Sequence, residues 1–487
     1  MISFILRIWV RIPRKDFGVD TWYFLNYAQA FRKSRRLPAR LDNYLLDIEE
    51  QWYPPLLAFI LSLFPRKITD THHWVFSAVI DSIQAVILYY FSFILTSRVD
   101  VAIFAALLYI ASTVNASMST NLNARPLAAL ICTLLMLAIY NYSLNSNIYS
   151  LVVVLVLGAI LLHTHKMATQ QLLFFAAGLS IFYRDWKYIY ILGLIFITAI
   201  ISTRGFYFKI LKNNIEIVRF WARNLPYLLK HQVYASSLYK DAGKAGSRMG
   251  ISGLKMNRFM FLLARGQLLF FFFLVIIIWM KKADIRCVSI NTSFLFYWVF
   301  INFFTVIATT YLPFFKFIGE GFKYLIYGTF PVSFLVSLGA IALMPSLMVS
   351  YSVLILLAGV CIYLQAFTVS RQLLNVNSYV DDELKEVINI LKKSDKDNVM
   401  CIPVFKAEPV AYLGGKKVLW GAHGSGWDKM DEFWPVIKVP LEKLIEKYKI
   451  NFMLIDKRFV DKEDLKIDSL IKETVHNGQN YILARVA

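Results

Sequence analysis

Asp20 stands in Gly18-Val19-Asp20-Thr21-Trp22-Tyr23, just after the first apolar run of the chain. A carboxylate there could remove a proton from an acceptor hydroxyl or amine, or help hold a divalent cation on a diphosphate. Asp is also a favoured helix cap, so the same tetrad equally reads as a helix start. Asp47, Glu49 and Glu50 follow, a few residues before Tyr53-Pro54-Pro55. Three carboxylates within four residues can be a hard-cation site or a solvated loop face, and Asp20 with Glu50 are the candidate ligands for a Mg or Mn ion. Six of the fourteen carboxylates before residue 372 lie within 16–55, so acid is concentrated where the neighbouring segments avoid it.

Cations at the ends of apolar segments form the second set. His163-Thr164-His165-Lys166 closes one apolar run and opens the next, and Arg125-Pro126 begins another. Such groups can hold a phosphate, or snorkel to lipid headgroups. Pro126 suits a first helical turn. In Gly319-Glu320-Gly321-Phe322-Lys323-Tyr324 a Glu, a Lys and a Tyr fall within about one turn. Burying Glu320 alone would be costly, so it is expected to pair with Lys323 or with a substrate cation. The adjacent His72 and His73 diverge on a helix and make a poor metal pair.

Positioning these residues falls to a chain that is 58% hydrophobic, 16% aromatic and only 17% charged. One soluble core cannot hide that much apolar surface, so a polytopic membrane protein is implied. Apolar runs near 74–96, 101–116, 126–142, 148–162, 167–183, 188–202, 259–280, 289–308, 323–343 and 346–367 supply ten candidate spans. Residues 1–12, with Arg7 and Arg11, read as a short first span or an interfacial helix. Together they make about eleven. No small-residue cleavage site follows that start, which argues against a cleaved signal peptide.

The net charge of +20 is uneven. From residue 376 onward eighteen basic residues meet eighteen acidic ones, so the whole excess, thirty-four against fourteen, lies in the apolar part. That pattern fits membrane lipids or a phosphorylated substrate, and nucleic acid is a poor candidate because no soluble module carries a basic stripe. Cys132, Cys287, Cys361 and Cys401 are scattered, with neither a disulfide framework nor a zinc site implied.

Residues 16–73 read as a first outer loop. Within it Trp22, Leu25, Ala28 and Gln29 share a helix face expected on the membrane surface, and Leu56–Phe64 is too short to span and reads as juxtamembrane or re-entrant. With a cytoplasmic N-terminus, that choice places 16–73, 115–125, 163–166, 204–257, 311–321 and the tail outside. The long loop 204–257 opens with an amphipathic part, 206–229, and continues into the glycine-rich 236–253, either a substrate-capturing loop or a surface helix with a linker. From about residue 372 the pattern changes to short apolar strands at 398–403, 417–420, 451–455 and 481–485, with helices at 382–392 and 441–448. The fold expected is mainly α: a transmembrane bundle over 1–371 and a small soluble α/β domain over 372–487. Gly414-Gly415-Lys416 reads as a turn, with no phosphate-binding loop.

In their order these motifs resemble the GT-C superfamily of integral membrane glycosyltransferases, of the protein O-mannosyltransferase and aminoarabinose transferase type. Gly18-Val-Asp20-Thr-Trp22, Arg35-Arg-Leu-Pro38, Trp52-Tyr-Pro-Pro-Leu56, Gly319-Glu-Gly-Phe-Lys-Tyr324 and Phe452-Met-Leu-Ile-Asp456 carry the resemblance. It implies that Asp20 is the catalytic carboxylate of the first loop, that Tyr53-Pro54-Pro55 opens a juxtamembrane helix, and that Lys323 faces a lipid phosphate. The reaction implied moves a sugar from a polyprenyl phosphate donor to an outward-facing glycan, lipid or protein in a bacterial inner membrane. Arg125, Lys166 and His165 would assist at the phosphate, while Asp47, Glu49, Glu50, Tyr53, Glu320 and Tyr324 would line the substrate or cation side. Family members often carry a second acid between the early spans, and 115–125 has none, which leaves the use of a metal open. A lipid-linked glycan flippase and a noncatalytic envelope assembly protein are the competing readings. A transporter should show internal repeats and polar, broken helices, and only Asp81 points that way.

Overall fold

The structure is a computed structural model that describes residues 1–37, 39–46, 51–227, 268–282, 292–373, 380–396, 398–420, 426–460 and 465–486. Two compact units are each assembled from separate stretches of chain. One comprises Met1–Lys15, Trp74–Tyr207 and Met256–Leu374, the other Asp16–His73, Phe208–Lys255 and Asn375–Ala487.

The first unit is helical. Among the described residues four helices, Arg66–Thr96, Arg125–Asn145, Ser293–Tyr311 and Leu347–Leu373, are long and apolar enough to cross a membrane, or up to six spans if each of two bent helix pairs counts as one. The expected count of about eleven is not reached among the described residues. Val99–Ala111 and Ile148–Leu162 hold 13 and 15 residues, which at 1.5 Å per residue reach only about 20 to 23 Å of a roughly 30 Å hydrocarbon core.

The chain start is no interfacial helix with its arginines in water. Ile2–Ile8 is α-helical and Trp9–Arg14 continues it as a 3₁₀ turn. Arg7 is 3% exposed and Arg11 is fully buried. Arg7 Nε donates to Asp81 Oδ2 at 2.7 Å, its Nη1 donates to the Ile110 carbonyl at 2.8 Å, and the Tyr109 hydroxyl donates to Asp81 Oδ1 at 3.0 Å. Asp81, the acid inside a predicted span, is thus neutralised by a residue near the start of the chain.

The second unit is built on a five-stranded sheet. Strands β1 (Asn398–Ile402), β2 (Lys417–Val418), β3 (Phe452–Asp456), β4 (Glu473–Asn477) and β5 (Tyr481–Arg485) lie in the order β2-β1-β3-β5-β4. β1 is parallel to β2 and β3, and β5 is antiparallel to β3 and β4. Backbone bonds from Leu45 to Val418, from Leu46 to Leu419 and from Val418 to Asn43 add residues 43–46 to the β2 edge. Their register places Leu46 in the sheet's apolar core.

Two helices from earlier stretches complete this unit. Val19–Ser34 was expected on a membrane surface, yet every residue from Thr21 to Ala28 is buried, and the helix packs on Leu56–Ser62 and Ala407–Gly414. A face of Trp, Tyr, Phe and Leu this broad needs cover on several sides, not one. Leu56–Ser62 itself follows Pro54-Pro55 as the sequence predicted. Phe206–Asn224 buries Ile217 and Phe220 in the sheet's core, with the Phe220 ring stacked on Trp434 at 5.4 Å and 7°. The first half of the long loop is therefore a fixed strut. Residues 236–253, read as a substrate-capturing loop, lie outside the described residues.

Candidate functional site

Asp20 belongs to the second unit. Gly18, at φ 110° and ψ 123°, is the N-cap of Val19–Ser34, a backbone conformation that glycine alone adopts without steric cost. Asp20 is therefore the second residue of the helix and not its cap, which corrects the capping alternative. A carboxylate in a first turn is favoured by the helix dipole. Asp20 is half-exposed while Thr21, Trp22 and Tyr23 beside it are buried. The Thr21 hydroxyl donates to the Phe17 carbonyl at 3.2 Å and locks the turn that presents the carboxylate.

The helix is held from below by residues just before the Pro-Pro turn. Tyr23 donates to Gln51 Oε1 at 2.9 Å, and the backbone N–H of Gln51 donates to the Ala39 carbonyl at 2.9 Å. Tyr53 is 3% exposed and sets its ring edge-on to Tyr23 at 5.8 Å. Tyr53 thus packs beneath the Asp20 helix. Asp47, Glu49 and Glu50 lie outside the described residues. Among the described residues no three His, Cys, Asp or Glu side chains gather as metal ligands.

Sequence reasoning missed the aromatic and polar support on the other flank of Trp22. The Trp22 ring lies 5.6 Å from His73 and 6.0 Å from Tyr412, and the Tyr412 hydroxyl donates to Asp70 Oδ1 at 2.5 Å. Arg66 Nε also holds Asp70, at 3.2 Å. Burial first, and the Asp70 carboxylate second, push the Tyr412 phenol well above its ordinary range, so it remains a donor. His73 is 2% exposed and its neighbour His72 is exposed, the divergence that helix geometry predicts. No local signal joins Tyr412 to Trp22 across nearly 400 residues.

The cations belong to the first unit. His165 is the N-cap of Lys166–Tyr183, and its Nδ1 accepts the Met167 amide proton at 3.2 Å. That bond fixes the neutral tautomer with hydrogen on Nε2, leaving this nitrogen a donor. Lys166, half-buried, is the first residue of the same helix. A helix N-terminus flanked by an imidazole N–H and an ammonium suits an anion.

Glu320 and Lys323 pair at 2.9 Å, as the sequence predicted, with Lys323 the less exposed partner. The 3₁₀ turn Gly321–Tyr327 carries the motif. A Cβ on Gly321 would stand 2.1 Å from Thr310 Oγ1 and 2.7 Å from the Val306 carbonyl oxygen, so only glycine lets the turn lie this close to Ser293–Tyr311. Tyr324 is fully buried, its hydroxyl donates to Gln170 Oε1 at 2.6 Å, and its carbonyl accepts from Asn302 at 2.8 Å. Gln170 lies one turn beyond Lys166. The structure therefore ties the Lys166–Tyr183 helix to Tyr324 through Gln170, a residue the sequence did not single out. Arg125 opens Arg125–Asn145 with Pro126 in the first turn, and that helix packs on the same 321–327 turn.

No family description matches the chain, and no functionally curated protein does. Solved structures do match. ArnT from Cupriavidus metallidurans in the apo state aligns over 100% of this chain and 96% of its own, at 10% identity and a TM-score of 0.60. The same protein bound to undecaprenyl phosphate aligns over 100% and 97%, at 9% identity and a TM-score of 0.61. End-to-end agreement at so low an identity shows a shared fold: the chain folds as these two structures do.

Proposed function

We propose that the chain is a membrane glycosyltransferase that moves a sugar from a polyprenyl phosphate donor to an outward-facing glycan, lipid or protein. The observation that carries this is the full-length likeness to a protein whose solved structure holds undecaprenyl phosphate. The half-exposed Asp20 in a rigidly supported first turn is compatible with a general base. Asp20 accepts the proton of the acceptor hydroxyl or amine as the acceptor atom bonds to the anomeric carbon. The bond from that carbon to the phosphate oxygen breaks, and polyprenyl phosphate leaves with the electron pair. Lys323, Lys166, Arg125 and the Nε2–H of His165 stabilise the charge that develops on the leaving phosphate. The anomeric configuration inverts in this single displacement.

The setting is a bacterial inner membrane with the reacting groups on its outer face. Asp81, the feature nearest to a transporter's polar helix, is held in an ion pair with Arg7 and gives a flippase reading no support. The test is release of undecaprenyl phosphate from undecaprenyl-phosphate-linked sugars by the purified protein in the presence of membrane glycan extracts. Turnover by the wild type and its loss in Asp20→Asn supports the reading; equal turnover by both sinks it.

A further inference from the structure

A cleft of about 770 Å³ opens in the second unit, away from Asp20. Asn26, Gln29, Ala30 and Lys33 of the Val19–Ser34 helix form one wall. They lie six to thirteen residues beyond Asp20, which at 1.5 Å per residue is about 9 to 20 Å along the axis. Arg40, Arg66 and Lys392 come from three other segments, and Tyr412 to Gly415, the end of the Ala407–Gly414 helix and its cap, line the cleft as well.

Two properties point to a ligand. Asn26 is 8% exposed, yet its Nδ2 has no hydrogen-bond acceptor although the side chain lines the cleft. Buried amide donors are ordinarily satisfied, so this one awaits an oxygen. The cations also come from four separate stretches of chain. Arg66 is held by Asp70 and Arg40 by Asp42, both at 3.2 Å, while Lys33 and Lys392 make no ion pair among the described residues. A phosphate monoester concentrates its charge and is matched by clustered donors. Single cations on separate segments match an anion with single charges at intervals. The half-buried Tyr412 and Leu413 give the cleft an apolar surface on which a sugar ring can lie, and Gln29 adds an amide to match hydroxyls. The volume is within the range that takes a ligand of a few rings.

We propose that this cleft binds an acidic oligosaccharide, with carboxylates on successive sugars held by Lys33, Lys392 and Arg66 and with an oxygen accepting from Asn26 Nδ2. Binding stands independently of the transfer reading; only the further step, that the bound glycan is the acceptor, rests on it.

The test is calorimetric titration of the full-length detergent-solubilised protein with trigalacturonate, maltotriose and inorganic phosphate at low ionic strength. Trigalacturonate should bind, weakening as salt is added, and the neutral trisaccharide and phosphate should not. The exposed pair Lys33→Ala and Lys392→Ala together should weaken binding at least about tenfold, and Asn26→Leu should weaken it as well. Asp20→Asn should bind trigalacturonate as the wild type does, so a protein inactive in transfer still reports on the cleft. Absence of trigalacturonate binding, equal binding of maltotriose or of phosphate, or indifference to the double lysine substitution overturns the proposal.

Discussion

Arg7 and Asp81 are both completely enclosed, at 2.7 Å, within the helical unit. Three variants probe the pair: Arg7→Met, Asp81→Leu and the two combined. Removing one partner of a buried ion pair costs about 3 to 5 kcal/mol, because the other charge is left without compensation, whereas replacing both by apolar side chains is often close to neutral. The two single variants are not equivalent. In Arg7→Met the stranded carboxylate keeps the Tyr109 hydroxyl and can also be neutralised by taking up a proton. In Asp81→Leu the stranded guanidinium keeps only the Ile110 carbonyl and cannot lose its charge. Asp81→Leu should therefore be the more damaging. Tm should fall by about 2 to 4 °C per kcal/mol for a unit of this size, hence by roughly 6 to 20 °C in the single variants. The double variant should recover most of that loss, so that the coupling energy approaches the sum of the two single costs. Thermal unfolding of the four proteins in one detergent, followed by tryptophan fluorescence, measures the cycle. If the double variant falls by the sum of the singles, the two residues are not coupled and the structural account of Asp81 is wrong.

Other expectations concern the candidate site and the sheet. Asp20→Asn should lower transfer by about 10² to 10⁴-fold while leaving Tm unchanged, as removal of a general base from a half-exposed position requires. Lys323→Ala should weaken undecaprenyl phosphate binding by about tenfold, the loss of one charge-assisted contact, read by competition with a fluorescent lipid phosphate. Gly321→Ala should lower Tm and donor affinity together, because the added Cβ must displace the Val306 backbone and not merely a side chain. Burial first, opposed by Asp456, brings the Lys406 ammonium down to about 8. The unfolded chain then holds this proton over pH 8 to 10 while the folded one releases it, so this group's contribution to stability rises with pH across that window, by roughly 1 kcal/mol per unit. Hydrogen exchange of β1 and β3 amides should show the rise. Lys406→Met, which leaves Asp456 its bond to Arg458 at 2.7 Å, should abolish it.

Legibility in the sequence followed how local each cause was. Strands β1, β3 and β5 announced themselves because each is a compact apolar run, buried almost throughout, whereas β2 is only Lys417–Val418, its lysine exposed, inside the expected run 417–420. β4, Glu473-Thr-Val-His-Asn477, is an edge strand with a mostly polar, half-exposed pattern and gave no such signal. The Glu320–Lys323 pair was readable because three residues separate its members, and Leu56–Ser62 because two prolines start it. That Val19–Ser34 is buried was not legible, because what covers it, Ala407–Gly414, lies nearly 400 residues away. Gln170 under Tyr324 and Tyr412 beside Trp22 were invisible for the same reason. The burial of Arg7 and Arg11 was equally illegible, since no sequence pattern announces where a lone arginine finds its partners.

The edge-pairing of residues 43–46 with β2 also bears on the order of synthesis. The segment around Asp20 leaves the ribosome early, yet the β2 edge that receives it, the helix that covers it and the Glu408 carboxylate that takes the Tyr44 proton donor arrive more than 360 residues later. A nascent or prematurely terminated chain can possess its apolar helices without a settled Asp20 helix. The Asp20 helix thus acquires its packed place only once Ala407–Gly414 and the β2 edge have been made.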